Sequence, residues 1–289
     1  MSRVVSDRER GMILVNVLLF IAIASGIVML MIATEDDSLA RSLALREAAR
    51  AQAILDGAEL SAIAALRRDA LAAPQSDSGA EPWAKIGERS APIEGGTFQL
   101  AIADAQSGFN VNRLASGNAI DAAMLARIVT TLRLPPALIP RATELVRIHG
   151  PLADLRPLRL GGLDAKTYAR LSGLLTALPY EGRINLNAAS EEMLAILLDD
   201  PRAAAALALQ RQRQGFLTPI DFLEERATIP PNAGFTSDLF WVRARVTIGE
   251  TSQQRTTLLA RRRDDQGRIG VAPIARWRGS VPPDQAPEL

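Results

Sequence analysis

Residues 10–34 read RGMILVNVLLFIAIASGIVMLMIAT, and Met12 to Ala33 carries no charge. As an α-helix that run spans about 33 Å at ~1.5 Å per residue, enough for the hydrocarbon core of a bilayer. The flank before it, Ser6-Asp7-Arg8-Glu9-Arg10-Gly11, brings arginine to the membrane edge; Glu35, Asp36 and Asp37 follow it. Arginine before and acid after predicts a cytoplasmic N-terminus, with the bulk of the chain across the membrane. A cleavable secretory signal is the rival, with an apolar region of about 7–15 residues and a small-x-small site after it. Here the run is longer, and Ala22, Ala24, Ser25 and Gly26 lie inside it with strongly apolar residues on both sides. A single membrane anchor is the better reading.

The helix does not stop at the membrane. From Asp36 to Ala73 there is no proline, and Gly57 is the only glycine. Leu39, Leu43, Ala44, Ile54, Ala58, Ile63 and Leu66 recur among Arg, Glu and Asp, an amphipathic pattern of good helix formers. Pro74 and the Ser76-Asp77-Ser78-Gly79 run end it. A short basic leader closing on Gly11, then an unbroken apolar helix and an amphipathic extension, resembles a type IV prepilin. The resemblance implies peptidase cleavage between Gly11 and Met12 and N-methylation of Met12. The family norm at the fifth mature position is Glu; here it is Asn16. One reading of Asn16 is a tolerated polar residue facing other helices. The other is a subunit that never docks beneath a preceding one, as at a filament tip.

Beyond the helix, strand and helix patterns separate. Phe98, Leu100 and Ile102 alternate after the Gly95-Gly96 turn. Phe240, Val242, Ala244, Val246 and Ile248 alternate with Arg243, Arg245 and Thr247, then Arg255–Arg262 and Ile269–Trp277 follow after turns. The last three predict an antiparallel meander, with the arginines on its wet face. Between the first strand and these lies a stretch rich in Ala and Leu and broken by Pro and Gly. Its expected helices are Ala122–Leu132, Ala142–His149, Asp164 to about Leu175, Glu191–Leu198 capped by Ser190, and Pro201–Gln214 closed by Gly215. The predicted fold is α+β: a pilin-like helix on a small antiparallel sheet, with a large all-α insertion. The expected organisation is a leader over 1–11, a transmembrane half over 12–34, an amphipathic half over 35–73, a β domain from 74–106 and 227–289, and the insert over 107–226.

Composition narrows the chemistry. The 289 residues include 33 Lys+Arg against 32 Asp+Glu, no cysteine, and one histidine, His149. Disulfide scaffolds, thiolate metal sites and Cys nucleophiles are excluded, and near-neutral charge does not indicate a nucleic-acid protein. A hydrolase built on Ser107 or Ser116 would have only His149 as base, so the expectation is a non-enzymatic protein.

The most distinctive stretch is Arg183-Ile184-Asn185-Leu186-Asn187 through Leu194, continued by Gly215-Phe216-Leu217-Thr218-Pro219-Ile220-Asp221-Phe222. It resembles both the K-type minor pseudopilins of type II secretion and membrane-anchored helix-hairpin-helix DNA-uptake proteins. Asn185 and Asn187 read as structural amides that bond backbone and cap the next helix. The DNA alternative needs a glycine-rich hairpin offering N–H groups to phosphate, whereas this chain has Leu198-Asp199-Asp200-Pro201-Arg202. The K-type resemblance spans nearly the whole chain, adding Phe109-Asn110-Val111-Asn112-Arg113-Leu114, Leu155 to Tyr168 and Arg276-Trp277-Arg278. It implies a tip subunit of a periplasmic pseudopilus, supporting protein export across the outer membrane. The implied partners are I- and J-type minor pseudopilins, the major pseudopilin, the prepilin peptidase and the inner membrane. Members of that family carry an acidic calcium-binding loop. Here Leu145–Leu152 passes directly to Asp154 without one, and Asp104, Asn110, Asn112 and Asp121 are too scattered to offer the six to eight oxygens calcium takes. No calcium and no other cofactor is expected.

Overall fold

The computed structural model describes residues 7–161, 163–279 and 281–289, with side chains described from Val15 onward except at 160 and 161. Helix α1 (Asp7–Ala72) is followed by α2 (Pro82–Lys85), β1 (Glu88–Ile93) and β2 (Gly96–Asp104). The helical block then runs through β3 (Phe109–Asn110), α3 (Ala119–Thr131), α4 (Leu138–His149), α5 (Ala165–Ser172), β4 (Leu175–Thr176), β5 (Ile184–Asn185), α6 (Glu191–Leu198), α7 (Pro201–Gln214), α8 (Pro219–Glu224) and β6 (Ala233–Gly234). The chain ends on β7 (Leu239–Ile248), β8 (Thr251–Arg263) and β9 (Ile269–Arg278). The architecture is α+β and pilin-like: a helix of 66 residues whose second half lies on a five-stranded antiparallel sheet of order β1-β2-β7-β8-β9.

The packed half of α1 buries Ala51, Leu55, Ala58, Ala62, Ala65 and Leu66, spaced alternately by three and four residues until the adjacent final pair. These residues meet Phe240, Val242, Ala244, Val246 and Ile248, the alternating face of β7. Alanine at most contact positions lets the helix axis approach the sheet, while each fully buried leucine contributes about 1.5–3 kcal/mol. Leu39 and Leu43, expected on the same stripe, are instead 61% and 48% exposed. The sheet runs out first: Thr251 Oγ1, at the β7–β8 turn, donates to Glu47 Oε2 at 2.8 Å, and among the described residues nothing extends past it to cover them.

The other sheet face is only partly wet. Trp241, Leu239, Leu258 and Ala260 form a second small core with Leu178 of the helical block, and Trp241 meets Trp277 at 5.3 Å between ring centroids. Arg243, expected in solvent, is half-buried and donates to the Pro287 carbonyl of the C-terminal tail at 3.1 Å. That tail also reaches the helical block, where Tyr168 Oη donates to Asp284 Oδ2 at 2.6 Å. Strand β1 lacks apolar alternation and was not expected; its pairing depends on the Gly95-Gly96 turn. A Cβ at Gly96 would lie 1.7 Å from the Thr247 carbonyl oxygen, so only glycine fits there. Both sheet edges are blunted by a proline and an irregularity: Pro92 in β1, with a register shift between Glu88 and Ala91, and Pro273 in β9, beside one between Leu258 and Leu259.

The helical block departs and returns at one point. Strands β2 and β7 are hydrogen-bonded neighbours, and the Ala105 N–H bonds the Leu239 carbonyl at 3.0 Å where they part. The block thus occupies the place of a hairpin turn, and it has its own core around Phe109, Leu125, Ile128, Leu155, Leu171 and Leu194. Its helix starts follow local chemistry. Ser190 Oγ accepts from Met193 N, Asp164 Oδ1 from Thr167 N, and Gly215 closes α7 at φ 94. Two helices begin earlier than the sequence reading placed them. Asn118 caps α3 by accepting from Ile120 N at 2.9 Å, and α4 starts at Leu138 because Pro140 sits in its first turn, where proline forfeits no helical bond.

Candidate assembly site

Among the described residues, the first half of α1 from Val15 onward is the most exposed apolar surface. Phe20, Met29 and Leu30 are 72%, 76% and 66% exposed, and none of the most apolar stretch is covered by the rest of the fold. An unbroken apolar helix with nothing packed on it fits lipid or other helices, and it is long and apolar enough to cross a membrane once. The Gly11–Met12 bond lies within the helix span, but the side chains there are outside the described residues. Asn16 is exposed on this helix.

At the other end of α1, a buried polar junction ties helix, sheet and helical block together. Among the described residues, Arg261 of β8 is its only guanidinium. Its Nη2 donates to Asp77 Oδ2 and, at 2.7 Å, to the Ser237 carbonyl, while Nη1 lies 3.5 Å from Asp69 Oδ2 at the end of α1. The same guanidinium stacks over the Phe240 ring at 4.9 Å. Asp77 also accepts the Ser237 N–H at 2.8 Å. Ser237 Oγ passes the network on to Asp104 Oδ2 at 2.6 Å, and Asn185 Nδ2 reaches the same oxygen at 2.6 Å and the Asp77 carbonyl at 2.9 Å. Gln106 completes the seam: its Nε2 donates to the Arg183 carbonyl, and its Oε1 accepts the Asp238 and Leu239 N–H groups.

Acid outnumbers base here. Burial pushes the Asp69 carboxyl up to about 7, helped by the charges of Glu81 and Asp77 and opposed by Arg261. Burial also raises Asp77 against the pull of Arg261. It raises Asp104 to about 6 although Ser237, the Gln106 N–H and Asn185 all donate to that carboxylate. Asp69, Asp77 and Glu81 are the one group of three carboxylates among the described residues whose oxygens lie within 4.8 Å of one another.

A second acid–base cluster, further back on α1, has the opposite balance. Arg276 grips Glu59 with Nε to Oε2 at 3.0 Å and Nη2 to Oε1 at 2.7 Å, and Thr257 Oγ1 adds a bond at 2.8 Å. Arg255, 5% exposed, sits 2.7 Å from Asp56 and 3.7 Å from Glu59. Glu59 is held below the usual carboxylate range, chiefly by Arg276, and Asp56 chiefly by Arg255.

Asn185 and Asn187 are structural: Asn185 Oδ1 accepts the Asn187 N–H at 3.0 Å and Asn187 Oδ1 accepts Leu217 N–H at 2.6 Å, while Ser190 alone caps α6. The oxygens considered for calcium have protein partners. Asp121 pairs with Arg113 at 2.8 Å, Asp104 Oδ2 accepts from Ser237 and Asn185, and the Asn110 and Asn112 Oδ1 atoms accept the Leu178 N–H at 3.1 Å and the Leu152 N–H at 2.8 Å. At the turn where the DNA alternative would need a glycine-rich hairpin, Asp199 is exposed and Asp200 Oδ1 already takes the first N–H groups of α7, from Arg202 at 2.8 Å and Ala203 at 3.1 Å. Phosphate would meet carboxylate there. Arg211 of α7 turns inward and donates to the Leu186 and Ala189 carbonyls at 2.8 and 2.7 Å. His149 is exposed at the end of α4, and Ser116 Oγ is held by the Arg113 carbonyl. The junction was missed in the sequence because its members are isolated polar residues far apart in the chain.

No protein-family profile matches the chain. Type II secretion system protein K of Pseudomonas aeruginosa is 23% identical, with 95% of each chain covered. The protein of that name from Pectobacterium carotovorum is 24% identical over 88% of this chain and 93% of its own, and that from Klebsiella pneumoniae 26% identical over 66% and 70%. Among solved structures, a chain of the GspK–GspI–GspJ complex from the enterotoxigenic Escherichia coli type 2 secretion system superposes with a TM-score of 0.63 at 22% identity, covering 83% of this chain and all of that one. The order of the motifs, the pilin-like fold and these matches agree: the chain is a relative, over nearly its whole length, of type II secretion system protein K.

Proposed function

We propose that the chain is a non-enzymatic minor pseudopilin that sits at the tip of a type II secretion pseudopilus and supports its assembly and protein export. The observation that carries the reading is the placement of the helical block. It joins the sheet beside Asp69 and Asp77, at the end of α1 away from the apolar run; from Ala33 to Asp69 the helix rises about 54 Å at ~1.5 Å per residue. The bulk therefore crowns the end opposite the membrane, where another subunit would have to pass. Asn16 supports the same reading, because an uncharged fifth residue cannot form the ion pair with the N-terminal amine of a subunit above. Such a pair at ~4 Å is worth about 4 kcal/mol at an effective dielectric near 20. In this reading α1 is anchored in the inner membrane with a cytoplasmic N-terminus and a periplasmic bulk. The peptidase cuts after Gly11, Met12 is methylated, and I- and J-type minor pseudopilins with the major pseudopilin are the partners.

Two measurements test it. N-terminal sequencing of the membrane-extracted protein is expected to begin at Met12; a start at Met1 or beyond Ala24 overturns the pilin-type processing. Site-specific crosslinking is expected to find the chain only at one end of the filament and joined to I- and J-type subunits. Regular spacing along the filament defeats the tip assignment. Deleting about 108–225 separates the two causes: a deletion variant still confined to the end leaves Asn16 as the determinant.

A further inference from the structure

The junction around Arg261 holds an imbalance that its direct contacts do not resolve. Asp69 comes from the end of α1, Asp77 and Glu81 from the connection to α2, Asp104 from the end of β2, and Arg261 from β8. Glu81 is occupied from outside, accepting from Ser76 Oγ and Trp83 Nε1, both at 2.9 Å. Asp77 is fully buried, and its Oδ1 has no hydrogen-bond partner. Asp69 is only 6% exposed, beside it. The cations nearest in sequence point elsewhere. Arg262 stacks on Tyr180 at 4.1 Å, Arg263 Nη1 reaches the Gly267 carbonyl at 3.5 Å, and Arg67 and Arg68 are exposed. Two buried carboxylates and a third at their side therefore face one guanidinium. An orphaned buried acceptor among carboxylates is costly and calls for a positive ligand.

We infer that Asp69 and Asp77 share a bound proton, making this junction a pH-sensitive latch between the end of the long helix and the root of the helical block. A proton between the two carboxyls gives Asp77 Oδ1 its missing donor and leaves one negative charge for Arg261. A divalent cation fits less well, because the guanidinium already occupies one side of the cluster and both Glu81 oxygens are engaged. With the proton in place, α1, the connection and β8 are drawn together. Without it, Asp69, Asp77 and Glu81 repel one another inside the fold.

The sign follows from linkage. The Asp69 carboxyl lies at about 7 in the fold against 3.8 as its ordinary value. Its contribution is therefore fully present below the ordinary value and is lost as pH rises through about 7. Thermal unfolding of the full chain in detergent is measured from pH 5 to 8, with infrared spectra of the protonated carboxyl band across the same range. The parent's melting temperature is expected to fall from pH 5 to about 7 and to level off above, as the carboxyl band disappears. Asp69→Asn, fixed in the neutral form, is expected to flatten the upper part of the profile, to melt above the parent at pH 8, and to lack the part of the band that titrates above pH 6. Should Asp69→Asn not fold, Glu81→Gln serves instead: removing a neighbouring negative charge is expected to move both transitions to lower pH. Identical profiles for parent and Asp69→Asn, or no movement in Glu81→Gln, overturn the inference. So does a rise in melting temperature at pH 8 on adding millimolar calcium or magnesium to the parent but not to Asp69→Asn, which would make the ligand a metal ion.

Discussion

Two acid–base clusters fasten the same helix to the same sheet, and they have opposite charge ratios. At the nearer one, Glu59 and Asp56 face two arginines, Arg255 and Arg276, and both carboxyls are held down. At the farther one, Asp69 and Asp77 share Arg261 with Glu81 close by, and both carboxyls are pushed up. The residue types are alike, and both clusters lie between α1 and β8 or β9. What differs is the number of cations per buried carboxylate. A carboxylate with an arginine to itself gains more from the pair than it loses by burial; two carboxylates sharing one do not. The helix is thus held at one point by a clasp that favours high pH and at another by one that favours low pH.

The largest expected effect comes from removing the single cation of the acid-rich cluster. Arg261→Met should cost about 3–5 kcal/mol in urea unfolding of the detergent-extracted chain at pH 7.5, as expected when a buried pair loses one partner. The loss should shrink at pH 5, where Asp69 is protonated and one negative charge fewer is left without its cation. An equal loss at both values would show that Arg261 acts by packing on Phe240 and not by charge.

Glu59→Gln is the matching test of the cation-rich cluster, with an expected cost of about 1.5–3 kcal/mol at pH 7 for hydrogen bonds to a charged group. Because the Glu59 carboxyl is depressed below 4.5 in the fold, its contribution is present above that value and is lost as pH falls through the lower one. Unfolding at pH 3 should therefore distinguish parent from variant much less than at pH 7. A cost that grows on acidification would erase the contrast between the clusters.

Asp56→Asn should be the smallest effect. Its side chain is 57% exposed although its partner Arg255 is buried, and screened pairs of this kind are worth about 0.2–1 kcal/mol. A loss well above that would mean the Asp56–Arg255 pair, and not the Glu59–Arg276 grip, is what secures the helix there.

Much of the fold was legible because its signals are short-range. The charge-free run from Met12 to Ala33 determines a helix fit for a bilayer, since no water-exposed fold can hide that much apolar surface in one unpaired element. The alternation in Phe240–Ile248 marks a strand, and Ser190, Asp164 and Gly215 mark helix ends, because a cap acts on groups only two or three residues away. The amphipathic half of α1 was recognisable as a helix, but its sequence does not state where the sheet ends, so Leu39 and Leu43 could not be told from Leu55 and Leu66. Strand β1 left no trace, because its pairing with β2 supplies what its own residues lack. The polar junction is the extreme case. Asp69, Asp77, Asp104, Asn185, Ser237 and Arg261 come from six separate stretches, and no periodicity links them. Only closure of the chain, with β2 and β7 side by side and the helical block held between their ends, brings them together. A buried charge takes its meaning from the neighbours that exclude water from it, and those neighbours are assembled by tertiary structure alone.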